Sequence, residues 1–110
     1  MPNYEVLHVL PISYNLDDQK NIKEPQGMSG VRLEVETQVV LSLSSQTKNL
    51  TKCIYRTGVD TEAIVFSILA TAEAVLSSKQ KELGVVVVDI GAATTLLAVF
   101  EEGNVLHTAV

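Results

Sequence analysis

Asp89, Thr94 and Thr95 are the residues of this chain best placed to do chemistry on an anion. They lie in Val85-Val-Val-Val-Asp-Ile-Gly-Ala-Ala-Thr-Thr-Leu-Leu-Ala-Val-Phe100, where four valines run into a carboxylate, a small-residue turn and two hydroxyls. Consecutive β-branched apolar residues suit a strand covered on both faces, and Gly91-Ala92-Ala93 lets the backbone turn sharply and approach another group closely. Thr94 and Thr95 then offer hydroxyls and backbone N–H groups to an anion, with Asp89 placed to hold a hydrated cation beside it. That is a way to hold a phosphate. The same residues also fit a plain hairpin, and an Asp-x-Gly-x-x-Thr turn alone does not separate the two readings.

The rest of the chain must supply a scaffold for that turn. With 110 residues it can form one domain with a core, or part of one, but not a two-lobed architecture closing around a nucleotide. Hydrophobic content of 46% and charged content of 19% are those of an ordinary globular chain, and with aromatics at 5% and no Trp the core must be aliphatic. Thirteen acidic against eight basic residues give a net charge of -5, and the basic residues are scattered rather than clustered. This argues against nucleic acid as a partner. Apolar runs fall short of a membrane span, Met1-Pro2-Asn3-Tyr4-Glu5 does not read as a signal peptide, and Cys53 alone makes neither an internal disulfide nor a metal site. A cytosolic chain is expected.

Glu5 to Ile12 alternates as a strand, with Pro11 marking an edge or the end of a ladder. The polar, Pro- and Gly-punctuated stretch from Asn15 to Gly30 predicts a loop. A long strand follows: Val31, Leu33, Val35, Thr37, Val39, Leu41 and Leu43 share the side expected to pack, and Arg32, Glu34, Glu36, Gln38 and Ser42 the side expected to meet water. Ser44 or Ser45 is expected to cap a helix that lies across the sheet on Leu50, Cys53, Ile54 and Thr57 and stops at Gly58. Ala63 to Ile68 reads as a short strand, and Ala70 to Leu76 as a closely packed helix. Ser77 to Gly84 is polar. Val85 to Asp89, Thr95 to Phe100 and Val105 to Val110 are three further strands, the last an open edge expected to favour self-association. An apolar strand without a polar tail also raises the expectation that both ends cut through a larger fold.

Several of these segments resemble the bacterial cell-division FtsA family, whose members have an actin-like ATPase fold. Val6-Leu7-His8-Val9-Leu10-Pro11, Tyr14, Ile22-Lys23, Pro25, Gly27-Met28-Ser29-Gly30-Val31-Arg32 and Asn49-Leu50-Thr51-Lys52-Cys53 with Gly58 are similar to the family's inserted subdomain. Leu69 to Leu76, Glu82-Leu83-Gly84 and Val88-Asp89-Ile90-Gly91 through Val110 are similar to its crossing from the first lobe into the second. The resemblance implies an α/β fragment, a partial actin-like (ribonuclease H-like) fold with a strand-helix-strand insertion. It divides the chain into 1–58 (partial insertion), 59–84 (first-lobe strand and interlobe helix) and 85–110 (opening hairpin of the second lobe). It further implies a role linking FtsZ filaments to the cytoplasmic face of the membrane at the division site, self-association, and contact with other division proteins. ATP and Mg²⁺ are implied cofactors of the complete protein, with none expected on this fragment alone. The phosphate contacts implied are Asp89, Gly91, Ala92, Thr94 and Thr95, with Asp89 reaching the metal through water, and no catalytic residue is implied. FtsZ contact and the amphipathic membrane helix belong, in the family, to segments that this chain does not match.

Two departures bear on activity. The family usually has Gly-Gly-Gly-Thr at the turn and an acid soon after, whereas this chain has Gly91-Ala92-Ala93-Thr94 and Leu96. An alanine forced into a left-handed conformation would be strained by about 1–2 kcal/mol, so weak or absent hydrolysis and impaired binding are expected. A pilus-assembly ATPase-like protein of the same superfamily, a sugar or acetate kinase, and a truncated interaction module without nucleotide binding are the alternatives. Leu96 speaks against the kinase, and the Gly-Met-Ser-Gly-Val-Arg loop favours division over pilus assembly. His8 and His107, each without a Cys or Asp cluster nearby, read as structural residues, and Cys53 as a small buried hydrophobe. Asn49-Leu50-Thr51 fits a glycosylation pattern but reads as helix surface. Met28 in its glycine loop is a candidate contact, and Glu34 and Glu36 read as a solubilising row.

Overall fold

The computed structural model describes residues 2–110. Two antiparallel three-stranded sheets organise the chain. In the first, β1 (Tyr4–Leu16) lies between β2 (Gln19–Ile22) and β3 (Leu33–Leu43), giving the order β2-β1-β3. Helix α1 (Ser44–Tyr55) follows directly. After an irregular stretch, α2 (Ser67–Val75) and α3 (Ser78–Leu83) lead into the second sheet, β4 (Val85–Ile90), β5 (Thr95–Glu101) and β6 (Asn104–Ala109), in that order. This mixed α/β architecture is the expected fold class.

The first hairpin is longer than its sequence suggested, because β1 runs through Pro11. Proline is tolerated there since β2 pairs only with the far end of β1, at Tyr14 and Leu16, so nothing on that side requires the missing N–H. Residues 15–30, expected to be a loop, hold β2 as well. Gly30 fits where a side chain would not: an added Cβ would lie 2.7 Å from Leu16 Cγ and 2.8 Å from Asp17 Oδ2. The Asp17 carboxylate accepts the backbone N–H of Arg32 at 2.9 Å and of Val31 at 3.1 Å, which fixes the loop's return into β3.

β3 is regular, while β1 carries both irregularities in their pairing, after Val6 and after Pro11. Residues opposite one another share a face, so Leu33, Val35, Thr37, Val39 and Leu41 stand with Leu16, Tyr14, Pro11, Val9 and Val6 on an uncharged side. The expected alternation is present, with the covered and exposed sides of β3 reversed. Leu33, Val35, Val39 and Leu41 are exposed, whereas Val40 is buried and Gln38 and Ser42 are partly covered. The reason is that the second sheet reaches the other face: Gln38 Nε2 donates to Thr108 Oγ1 at 2.8 Å, and Asn104 Nδ2 donates to the carbonyl of the bulge residue Ile12 at 3.0 Å. His8 Nε2, on that same face, accepts the N–H of Phe66 at 3.0 Å.

α1 begins without a side-chain cap; Leu43 is its N-cap residue and both Ser44 and Ser45 lie inside the helix. It ends as expected near Gly58, whose φ is +86° and whose N–H bonds the Tyr55 carbonyl at 3.0 Å. It does not lie across the sheet on its apolar stripe. Thr47 is its buried residue, donating to Ser42 Oγ at 3.1 Å, whereas Leu50 is exposed and so is Cys53, which is therefore not the buried hydrophobe expected. The segment 63–66 is not a strand, and helix α2 starts at Ser67. Within the polar stretch an unexpected helix forms, α3. Ser77 and Gln80 close a reciprocal capping box at its start, and Gly84 sits past its end with φ +103°.

The principal core belongs to the second sheet. Ile68 and Ala72 of α2 pack against Val87, Ala98 and Phe100. Only one face of β4 is covered: Val87 is buried, but Val86 and Val88 are exposed, so the valine run is not a doubly covered strand. Lys81 lies over the Phe100 ring at 5.5 Å and pairs with Glu73 at 2.8 Å, tying α3 to α2 and the sheet.

Candidate functional site

β4 and β5 are joined by the turn that the sequence singled out. Their ladder runs to Ile90 opposite Thr95, and the Gly91 N–H donates to the Thr94 carbonyl at 2.9 Å, which closes the bend. An added Cβ on Gly91 would stand 3.1 Å from that carbonyl, so glycine is needed there for close approach rather than for a left-handed backbone. Neither Ala92 nor Ala93 has positive φ, and the strain feared for a Gly-to-Ala change is absent from this bend.

Gly91, Ala92, Ala93, Thr94 and Thr95 are all exposed, and Asp89 is half-buried. The amides of Ala92, Ala93 and Thr94 make no backbone hydrogen bond among the described residues, leaving N–H groups free to meet an anion. The side chains do not converge, however. Asp89 is opposite Leu96 and on the same face as Val87 and Phe100, whereas Thr95 is opposite Ile90 on the other face. A ligand could take the turn's amides with the Thr94 hydroxyl, but Asp89 and Thr95 would approach it from opposite sides of the ladder. Among the described residues no cluster of three or more His, Cys, Asp or Glu is arranged to hold a metal ion.

Two clefts lie elsewhere. One of about 710 Å³ opens between α1, the start of β1 and residues 61–64, lined in part by Glu5, Leu7, Thr47, Thr51 and Ile64. A second, of about 270 Å³, lies between the sheets beside Ile12, Lys23, Glu36 and Asn104. Lys23 there bonds Glu82 Oε1 and the Glu102 carbonyl, both at 3.3 Å, an ion-paired contact between the two halves that sequence reasoning did not foresee. Pairings between residues so distant in sequence leave no local signal. His107 is exposed.

Residues 1–41 match the family model described as the SHS2 domain inserted in FTSA. Along 105 residues, 96% of its length, the chain is 47% identical to the cell division protein FtsA of Pseudomonas aeruginosa. The chain belongs to the FtsA family. Identity is 39% to the FtsA of Escherichia coli K12 over 97% of the chain, and 36% to that of Borreliella burgdorferi over 96%. The chain spans about a quarter of the length of these curated relatives. The family model covers β1, β2 and most of β3, so the first sheet is the SHS2 part of this FtsA-family segment.

Proposed function

We propose that this chain acts in bacterial cell division, as the segment of an FtsA-type protein that carries the SHS2 sheet and opens the second actin-like lobe. The observation that supports the reading is similarity along almost the whole chain to proteins named for cell division. In this reading 1–58 is the insertion, 59–84 crosses from the first lobe, and 85–110 begins the second. The complete protein links FtsZ filaments to the cytoplasmic face of the membrane, contacts other division proteins and self-associates. Among the described residues no helix is long and apolar enough to cross a membrane. A chimera tests it: residues 1–110 replace the matching segment of the Pseudomonas aeruginosa relative in cells depleted of their own copy. Restored division supports the proposal, and persistent filamentous cells refute it.

In the complete protein, Gly91, Ala92 and Thr94 would cradle the phosphates of Mg-ATP at the turn, with Asp89 and Thr95 reaching the nucleotide from opposite sides of the ladder. This part of the reading rests on the exposed turn with free amides. ATP and Mg²⁺ would supply a polyanion and its counter-charge. The chain's own residues would donate N–H groups to phosphate oxygens and place one carboxylate near the hydrated metal. No group at the turn is positioned as a general base, so binding would control assembly more than turnover. Titration calorimetry on the chimera should show Mg-ATP binding that weakens on Asp89→Asn. Equal affinity in both would remove Asp89 from the site.

A further inference from the structure

We propose that His8 is a protonation switch at the joint between the first sheet and α2, holding the Phe66 backbone when neutral and releasing it in favour of Glu5 when charged. The inference concerns contacts inside the chain and stands apart from the proposed function.

The switch is built on a bulge. Val6 pairs with Leu41 and His8 with Val40, so Leu7 is an extra residue in β1. Strict alternation would put Glu5 and His8 on opposite faces of the strand. The extra residue brings both to the covered face, Glu5 opposite Ser42 and His8 opposite Val40. Two residues of β3 separate those pairs, a spacing of about 7 Å along the strand. On the other side of His8 the next pair of that face is Leu10 with Gln38.

His8 Nε2 accepts the Phe66 N–H at 3.0 Å, which requires a neutral ring with its proton on Nδ1. Phe66 is the N-cap residue of α2, and its side chain packs against the core around Ile68 and Ala72. This one bond therefore ties β1 to the start of the helix that covers the second sheet. A proton on Nε2 removes the acceptor and sets one N–H against another. Alternative acceptors flank the ring on the same face: Glu5 Oε1 and Gln38 Oε1 are closed off from solvent and have no hydrogen-bond partner among the described residues. Buried oxygens without a donor are rare because they are costly, and a charged imidazole carries two N–H donors. Of the two acceptors Glu5 has the charge that makes such a bond strong.

The remaining ionisable groups on the packed elements lie further off or are engaged. Glu36 and Glu34 continue the face beyond Gln38. Lys48 and Lys52 of α1, with Tyr55 and Glu62, line the cleft of about 710 Å³ that Glu5 also borders. Glu73 of α2 is paired with Lys81, Lys23 with Glu82, and β2 with its Lys20 meets only the far end of β1. His107 follows Thr108 on β6 but shares its own sheet's face with Val99 and Glu101. The form bonded to Phe66 has no place for the proton, so acid moves the population toward the released form, and the Glu5 carboxylate acts in the same direction.

NMR on the full chain tests the switch. Long-range proton–nitrogen spectra should show the Nδ1–H tautomer of His8 at about pH 8, since imidazoles gain their charge between about pH 8 and 5. Over that range the Phe66 amide, corrected for intrinsic exchange, should lose protection roughly tenfold in step with His8 protonation, while Ala98 keeps its own. His8→Gln places a carbonyl oxygen near the Nε2 position and does not titrate, so it should keep Phe66 protected throughout. Glu5→Gln should move the release of Phe66 to lower pH, with circular dichroism confirming the fold of each variant. Release on the same pH course in His8→Gln, or protonation of His8 with Phe66 protection unchanged, overturns the switch. The second of these is read on the unmodified chain and decides even where a variant does not fold. Release at an unaltered pH in Glu5→Gln overturns the part assigned to Glu5.

Discussion

Gly30 shows how one residue can be demanded by packing rather than by backbone angle. Its position against Leu16, itself 8% exposed, and the Asp17 carboxylate leaves no room for a methyl group. Gly30→Ala should therefore lower stability by about 1–3 kcal/mol, as overpacking does, and shift the thermal midpoint downward. An unchanged midpoint would mean that the Asp17-anchored loop yields freely. Glu73 makes a different kind of prediction. Its hydrogen bond and charge pairing with Lys81 hold the carboxyl below the usual value of 4.5. A carboxylate whose pKa is depressed by folding contributes stability above its unfolded pKa and loses it as pH falls through the lower folded value. Because Glu73 is exposed, the contribution is small and salt-sensitive. Following the Glu73 carboxyl carbon by NMR titration should show its midpoint rise in Lys81→Met, and identical midpoints would dissociate the pair.

At the scale of elements, α1 and α3 make a useful contrast. α3 is six residues long, too short to persist on propensity, but its Ser77–Gln80 box satisfies donors reciprocally, with Gln80 N–H to Ser77 Oγ at 3.2 Å and Ser77 N–H to Gln80 Oε1 at 2.9 Å. Ser77→Ala should cost about 1 kcal/mol in denaturant unfolding, whereas Ser44→Ala, where no side-chain cap exists, should cost far less. Equal costs would show that the box adds nothing. The Ser-x-x-Gln signal was legible in the sequence, yet the polar composition around it masked a helix with no buried residue. Strands were easier to read. The alternation of Val35, Thr37, Val39 and Leu41 located β3, and the turn between Ile90 and Thr95 was placed correctly, because period-two patterning and small-residue bends are local. Which face of β3 is covered, and that Asp89 and Thr95 diverge, depend on partners remote in sequence. Periodicity tells which residues share a face, but not what that face will meet.

The whole molecule has more surface than its mass predicts. Its accessible area is 8085 Å² at 11.9 kDa, where the scaling for compact monomers gives about 6,000 Å². Likewise the radius of gyration is 17.0 Å against about 13 Å for a compact chain of this length. Burial is uneven as well. Ile68 and Ala98 of the second half are fully buried, whereas the first sheet's buried apolar residues, Leu16 and Val40, are 8% and 9% exposed. The halves meet through polar contacts, Gln38 to Thr108, Asn104 to Ile12, Lys23 to Glu82, and His8 to Phe66, each contributing net on the order of 1 kcal/mol. Such a seam transmits little cooperativity, so the first sheet should open without the second. Hydrogen exchange on the full chain should find the amides of β5 around Ala98 the most protected, and those linking β1 to β3 exchanging through a smaller opening free energy. Removing two seam contacts, with Gln38→Ala and Asn104→Ala together, should speed exchange in β1 and β3 while leaving β5 unchanged. Uniform acceleration across both sheets would instead mean that the seam binds them into one cooperative unit. The turn at Gly91 would then owe its stability to the SHS2 sheet as well as to α2.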